Sequence, residues 1–227
     1  MKNWYQLTES ETLDKLGVTS EGLSSQQADS LLEKHGKNVL EESKKKSVFQ
    51  VFLSQFADLM VIILIIAAIV SMFSGSVEST IVIFAVITLN AILGTVQHVK
   101  AEKSLESLKS LSSPSAKVIR DGRKIEIDSE NIVPGDIVVL EAGDLVVADG
   151  RIINNYSLQV NESSLTGEST NIDKGVEAIE KEVPLADRTD MVFSGSLVTY
   201  GRAIVVVTET GMNTEIGKIA TLMNQAK

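Results

Sequence analysis

Two long apolar segments dominate the first half of the chain. Residues 57–73 read ADLMVIILIIAAIVSMF, and residues 80–96 read TIVIFAVITLNAILGTV. Each run is at the short end of the length that spans a bilayer, and further apolar residues adjoin both, among them those from Val48 to Phe56 before the first. Because neither run leaves a polar face for water, we predict two membrane helices rather than a helical pair buried in a soluble core.

The segment between the two runs predicts how they are arranged. Only SGSVES, Ser74–Ser79, separates them, and so short a link makes an antiparallel hairpin. The link has no Lys or Arg, whereas the outer flanks are basic: Lys44, Lys45 and Lys46 before the hairpin, and Lys100, Lys103 and Lys109 after it. The positive-inside rule therefore predicts that both ends of the chain, including 112–227, are cytoplasmic.

The polar sequence on either side of the hairpin is also patterned. Residues 98–113 keep helical spacing, so the second membrane helix is predicted to continue as a cytoplasmic stalk that transmits force. A solvated helix without a coupling role fits the same residues. Residues 1–46 predict a helical arm with a helix from Ser24, its N-cap, to Gly36, and an apolar stripe that docks elsewhere on the protein.

The period changes to that of strands from Ala116 onward. Asp121-Gly122 between two alternating runs predicts a hairpin, residues 132–155 predict further short strands, and 195–211 predict a second hairpin that turns near Tyr200-Gly201. A final helix is predicted after a cap at Asn213 or Thr214. Many short strands with glycine-rich turns are typical of a compact β-sandwich or barrel.

Composition narrows the chemistry. The formal net charge of -9 argues against nucleic acid as a partner, because phosphate binding needs a basic surface. The chain has no cysteine, which excludes disulfides and thiolate metal sites, and its two histidines lack metal-ligand spacing. No metal ligands are expected in this chain.

One loop breaks the strand pattern in a way that permits catalysis. In NESSLTGESTN (161–171), Gly167 permits a turn closed to other residues, and Thr166 and Ser169 can fix the loop through hydroxyl-to-backbone bonds. Glu168 would then point outward, where a carboxylate can orient a water molecule and accept its proton. Glu162 is a nearby second acid for which we predict a structural role. An ordinary polar turn is the alternative for the loop taken alone.

These motifs resemble those of P-type cation-transporting ATPases, most closely the calcium-pump branch. The resemblance covers nearly the whole chain and rests on motifs that occur in the family's order. They are Leu165-Thr166-Gly167-Glu168-Ser169, Pro134-Gly135-Asp136, Gly143-Asp144 with Ala148-Asp149, Phe193-Ser194-Gly195-Ser196, and the run from Thr210 to Ala220.

The resemblance implies a fold and a division of labour. It implies an α+β membrane protein fragment with a cytoplasmic helical arm (1–46), a transmembrane hairpin with its stalk (47–111), and an all-β, distorted jelly-roll-like actuator domain (112–227). In the family, ATP phosphorylates an aspartate in another domain, and the TGES loop promotes hydrolysis of that acyl phosphate. Glu168 would position the water, with Thr166, Gly167 and Ser169 shaping the loop. Asp58, near the cytoplasmic end of the first membrane helix, would be costly in lipid and should face protein or water. It is a candidate for the path by which the cation enters, and the alternative is a residue hydrated at the membrane interface.

The same resemblance implies partners outside this chain. The intact pump would bind ATP and Mg²⁺ on domains this sequence does not contain, would sit in a lipid bilayer, and would transport a cation, with calcium first by resemblance. A bacterial plasma membrane is expected. The family's D-K-T-G-T motif does not occur here, so this chain alone should not hydrolyse ATP. Val147 and Thr170-Asn171 also depart from the family pattern, which has proline there. Two alternatives stay open: a non-catalytic, membrane-anchored β-domain that binds or regulates a partner, and a soluble β-protein with a buried helical hairpin.

Overall fold

The chain forms two compact units. The computed structural model describes residues 2–40, 46–111, 114–167 and 170–225, without the side chains at 106 and 108–111. One unit combines Met1–Glu41 with Ser113–Lys227, and the other is Glu42–Ser112. The amino-terminal arm is therefore folded together with the β-rich segment, and the apolar hairpin forms a unit of its own.

The helical unit contains three helices around a short link. Its helices are α3 (Val48–Gln55), α4 (Leu59–Phe73) and α5 (Val77–Leu111), after α1 (Glu9–Leu16) and α2 (Ser25–His35) of the arm. Helix α5 runs without a break through the second apolar segment and the polar sequence after it, which confirms the predicted helical continuation. At 1.5 Å per residue it is roughly 50 Å long, well over the thickness of a bilayer core.

The first apolar helix is not continuous with the residues before it, contrary to the sequence-based expectation that they lengthen it. Helices α3 and α4 are bent by 62° across the break that separates them. Asp58 explains the break, because its extended backbone and its side-chain bond from the Met60 amide (2.9 Å) make it the N-cap of a new helix.

By length and composition, α5 can cross a membrane over Val77–Leu105, and α3 with α4 can do so if the bent pair is a single span. Only 22% of the apolar window of α5 is buried. The buried positions fall on one stripe of the helix, at intervals of four and seven residues: Thr80, Ile87, Ala91 and Thr95. The rest of this apolar surface is exposed, unlike that of a soluble core helix.

The other unit is built on one seven-stranded antiparallel sheet with the order β2-β1-β3-β7-β4-β5, and β6 pairs with β4. The strands are β1 (Ser115–Arg120), β2 (Arg123–Asp128), β3 (Ile137–Glu141), β4 (Asp149–Asn161), β5 (Asn171–Asp173), β6 (Met191–Val192) and β7 (Leu197–Glu209). Two further helices are α6 (Ser163–Thr166) and α7 (Glu215–Gln225). Thr214 precedes α7 and accepts from the Gly217 amide at 3.1 Å, as a predicted cap should.

One predicted hairpin is confirmed and the other is wrong. Asp121 and Gly122 both have positive φ (51° and 67°) and join β1 to β2, as a two-residue turn between antiparallel strands requires. Gly201, in contrast, lies inside the continuous strand β7. Gly201 has a φ of 74° and lies opposite Ser157 on β4, whose φ is 54°. The pairing register between β4 and β7 shifts at this point. The glycine marks a bulge, not a turn.

Both faces of the sheet are covered. The largest apolar cluster joins residues of β1, β3, β4, β6 and β7. A second cluster brings Val18, Leu23 and Ala28 of the arm against Val133, Ile137, Ile153 and Val206. Leu23 also forms a parallel bridge with Arg120. The arm thus docks on the sheet as predicted, and the helical arm, apolar helix and antiparallel sheet confirm the predicted fold class.

Candidate functional site

The loop singled out in the sequence is the tip of a β-hairpin. Strands β4 and β5 pair antiparallel through Gln159↔Asp173, Val160↔Ile172 and Asn161↔Asn171. Residues 162–170 connect the end of β4 to the start of β5. Two facing strands therefore fix both ends of the loop at the edge of the sheet.

The first half of the loop is a single helical turn, α6. The main-chain carbonyl of Glu162 accepts hydrogen bonds from the amides of Leu165 and Thr166, both at 2.9 Å. The Thr166 hydroxyl donates to the same carbonyl at 3.1 Å, which confirms the predicted hydroxyl-to-backbone bond at this residue. The Asn161 side chain accepts from the amide (3.1 Å) and hydroxyl (2.6 Å) of Ser163, so the turn is also held at its start.

Gly167 ends this turn in the left-handed conformation, with φ 77° and ψ -3°. Its amide donates to the Ser163 carbonyl at 3.0 Å. A Cβ here would meet no atom within 4 Å, so the positive φ, and not crowding, makes glycine the favoured residue. The prediction that this glycine makes the turn is confirmed.

The turn rests on the segment between β6 and β7. The Ser164 hydroxyl donates to the Gly195 carbonyl at 3.0 Å. Leu165 is half-buried against a cluster formed by Tyr5, Met191 and Phe193. The base of the loop therefore touches both the sheet domain and the arm.

The structure brings two of the four predicted loop residues together, since Thr166 and Gly167 are adjacent at the end of α6. Glu168 and Ser169 lie outside the described residues. Asp58, the fifth predicted residue, is exposed in the helical unit, where it caps α4. The catalytic roles given to the loop residues remain predictions.

A buried ion pair that the sequence did not reveal lies under the loop. The Lys174 ammonium nitrogen is 2.6 Å from Glu162 Oε1, and both side chains are fully buried. Burial raises the pKa of Glu162 and lowers that of Lys174, while their mutual attraction opposes both shifts. The structural role predicted for Glu162 fits this contact, but Lys174 could be found only once the β4–β5 register was known.

A second buried ion pair lies in the same domain. Arg151 Nε is 2.9 Å from Asp190 Oδ2, and both side chains are fully buried. Arg151 also donates to the carbonyls of Leu7, Ile152, Asp190 and Val176. Burial raises the pKa of Asp190 to about 6 although Arg151 lowers it. Through the Leu7 carbonyl, Arg151 ties the arm to β4.

The described residues do not fit a resident metal ion. Among them, no group of three or more His, Asp or Glu side chains is placed to hold one.

Comparison with known proteins identifies the family. The P-type ATPase actuator domain matches residues 110–224, just over half of the chain, and the amino-terminal domain of cation transporters/ATPases matches residues 4–71. The chain belongs to the P-type ATPase family.

Named relatives are similar along almost the whole chain. A calcium-transporting ATPase of Listeria monocytogenes is 47% identical over 223 residues, which are 98% of this chain and 25% of that protein. Calcium-transporting ATPase 1 of Bacillus cereus is 44% identical over 234 residues, 100% of this chain and 26% of that protein. A probable cation-transporting ATPase F of Mycobacterium tuberculosis is 40% identical over 206 residues, 91% and 23% respectively. This chain spans about a quarter of the length of these relatives.

Proposed function

We propose that this chain supplies the actuator domain and first membrane hairpin of an ATP-driven cation pump, in which the loop 166–170 promotes hydrolysis of an aspartyl phosphate on another domain. The observation that carries the proposal is the construction of the loop. A helical turn closed by Gly167 at the tip of the β4–β5 hairpin gives residues 168 and 169 a rigid base. The family match supplies the chemistry for which such a loop is used.

The proposed reaction uses one carboxylate of this chain. Glu168 orients a water molecule and accepts a proton from it while the water oxygen bonds to phosphorus. The bond between phosphorus and the aspartyl oxygen breaks, which releases inorganic phosphate and regenerates the aspartate. Splitting ATP hydrolysis into phosphorylation and dephosphorylation gives the pump distinct states between which to alternate.

The transported ion and the membrane are also part of the proposal. The names of the Listeria and Bacillus relatives, at 47% and 44% identity, favour calcium. The exposed apolar surface of α5 and the basic flanks of the hairpin support insertion in a bacterial plasma membrane with both ends of this chain cytoplasmic. ATP and Mg²⁺ would bind outside this chain.

The test uses the complete pump polypeptide that contains this chain. Glu168→Ala should leave phosphorylation by ATP largely intact and slow phosphoenzyme decay by about 100-fold or more, the usual contribution of a general base. Glu177→Ala is the matched control, because Glu177 is an exposed glutamate beyond β5. Normal decay in Glu168→Ala would refute the proposed role of the loop.

The complete reading frame separates the pump from a non-catalytic β-domain anchored in the membrane. A D-K-T-G-T motif beyond further membrane helices supports the pump. A stop codon directly after Lys227 supports the binding or regulatory module.

A further inference from the structure

The Glu162–Lys174 ion pair links the first residue of the loop to the residue that follows β5. Glu162 directly follows β4, and Lys174 directly follows β5. Glu162 lies one residue beyond the Asn161–Asn171 pair, on the loop side, whereas Lys174 lies one residue beyond the Gln159–Asp173 pair, on the side away from the loop. Their 2.6 Å contact therefore runs diagonally along the hairpin. A buried diagonal contact of this kind restricts how the first residue of the loop can move relative to β5.

Glu162 holds the loop with two different groups. Its main-chain carbonyl accepts the three hydrogen bonds that define the turn α6 and fix Thr166. Its side chain is fixed by Lys174. The residue whose side chain contacts Lys174 therefore also carries the main-chain acceptor of the turn that ends at Gly167.

Lys174 is anchored independently of the loop. Its amide donates to the Leu158 carbonyl at 3.0 Å, and its own carbonyl accepts from the Asn155 side chain at 2.5 Å. Its ammonium group lies 3.5 Å from the Arg188 carbonyl and 5.6 Å from the centre of the Phe193 ring. Lys174 therefore provides a fixed point against which Glu162 is oriented.

A buried ion pair is better suited to orienting the Glu162 side chain than to stabilising the fold. Removing two charges from water is costly, and an apolar pair of similar volume often stabilises a fold as well or better. Neither carboxylate oxygen of Glu162 has an aligned hydrogen-bond donor among the described residues, so the ion pair with Lys174 is the main contact of this carboxylate. What the ion pair supplies and an apolar pair does not is a fixed direction.

We propose that the Glu162–Lys174 pair is a positioning element that sets the orientation of the loop 166–170 for hydrolysis of the phosphoenzyme. The inference rests on the proposed function. Neither residue touches the reacting atoms in this account. Each acts through the turn that carries Thr166 and Gly167.

The experiment measures phosphoenzyme formation, phosphoenzyme decay and thermal unfolding in the complete pump polypeptide. Lys174→Met and Glu162→Gln should each slow decay at least about 10-fold and change the rate of formation less than about twofold. The decisive variant is the apolar double replacement Glu162→Leu with Lys174→Met. It removes both buried charges, so it should unfold near the wild-type temperature and still decay slowly.

Asp136→Asn is the matched control. Asp136 is a fully buried carboxylate that receives two bonds from Arg120 (2.8 and 2.7 Å). It directly precedes β3, and β7 separates β3 from β4. This variant should unfold at a lower temperature and keep wild-type decay. Wild-type decay in the apolar double variant, or equally slow decay in Asp136→Asn, would overturn the inference.

The outcome is separable from that of the proposed function. If Glu168→Ala slows decay and the apolar double variant does not, only the positioning role fails. If Glu168→Ala decays normally, the role of the loop itself fails. Should Lys174→Met not fold, Lys174→Arg keeps the charge but changes the contact geometry, and slow decay is again expected.

Discussion

The carboxylate of Asp149 accepts a hydrogen bond from the backbone amide of Glu215 at 2.7 Å, at the first residue of α7. Its other oxygen accepts from the Ser194 amide at 2.8 Å. One buried side chain at the start of β4 thus joins the segment before β7 to a helix 66 residues further along the chain. Burial, the largest influence, raises the pKa of Asp149 to about 6, although the two amide bonds favour the charged form.

This raised pKa predicts a pH dependence of stability. Between about pH 4 and pH 6 the folded protein holds the Asp149 proton more tightly than the unfolded chain. Its contribution to the free energy of unfolding therefore falls by up to about 3 kcal/mol as the pH rises through this window, and is constant above it. In thermal unfolding from pH 4.5 to 7, Asp149→Asn should flatten this trend.

The control for that prediction is Asp128→Asn, since Asp128 is exposed and makes no capping bond. It should leave the wild-type pH trend in place. Parallel pH curves for wild type and Asp149→Asn would contradict the assignment.

Gly167→Ala tests whether the conformation of the loop affects phosphoenzyme decay apart from its effect on the stability of the fold. At φ 77° an alanine costs about 1–2 kcal/mol of backbone energy, and relief of that strain displaces residues 168–170. We expect phosphoenzyme decay at least about 10-fold slower, measured in the complete pump. Gly17→Ala, at φ 68° and equally open at the end of α1, should cost similar stability without slowing decay. Equal decay rates in the two variants would show that the loop tolerates a changed turn.

Gly22→Ala should detach the arm from the sheet. A Cβ at Gly22 would overlap the Ile119 backbone carbonyl, which β1 holds in place. The overlap opposes the Leu23–Arg120 bridge and should cost about 2 kcal/mol or more, with faster proteolysis of residues 17–40. Gly36→Ala has a comparable positive φ in open space and is the control. Matching proteolysis rates for both would mean that the arm does not depend on this contact.

Asp58→Asn distinguishes helix capping from a place on the ion path. Asparagine caps a helix about as well as aspartate, so this variant should keep both the thermal stability and the apparent cation affinity within about twofold. Asp58→Ala should lose about 1 kcal/mol, because the Met60 amide loses its acceptor. A marked loss of cation affinity in Asp58→Asn would instead favour the ion path.

The sequence predicted those elements whose cause is local. The Asp121-Gly122 turn, the Ser24 and Thr214 caps and the long helix α5 each follow from adjacent residues, and the structure contains all of them. The prediction of a turn at Gly201 is wrong because a glycine within a strand pattern fits either a turn or a bulge. Only the positive φ of Ser157 on the facing strand decides between them.

Two other features needed information beyond the local pattern. The break before α4 occurs in sequence that is apolar on both sides. The membrane context favours a place for Asp58 on the cation path, although an acid before an apolar run also fits an N-cap. The Glu162–Lys174 pair depends on the β4–β5 register, which no composition rule supplies. The loop motif itself was recognisable because it is short, contiguous and shared with the family.

The most direct test of the account is the decay rate of the phosphoenzyme in a Glu168→Gln variant of the complete pump, followed after an ATP chase. Glutamine keeps the size of the side chain but cannot accept the water proton at neutral pH. We predict a normal level of phosphoenzyme formed from ATP, followed by decay about 100-fold slower than in the wild type. Decay at the wild-type rate would contradict it.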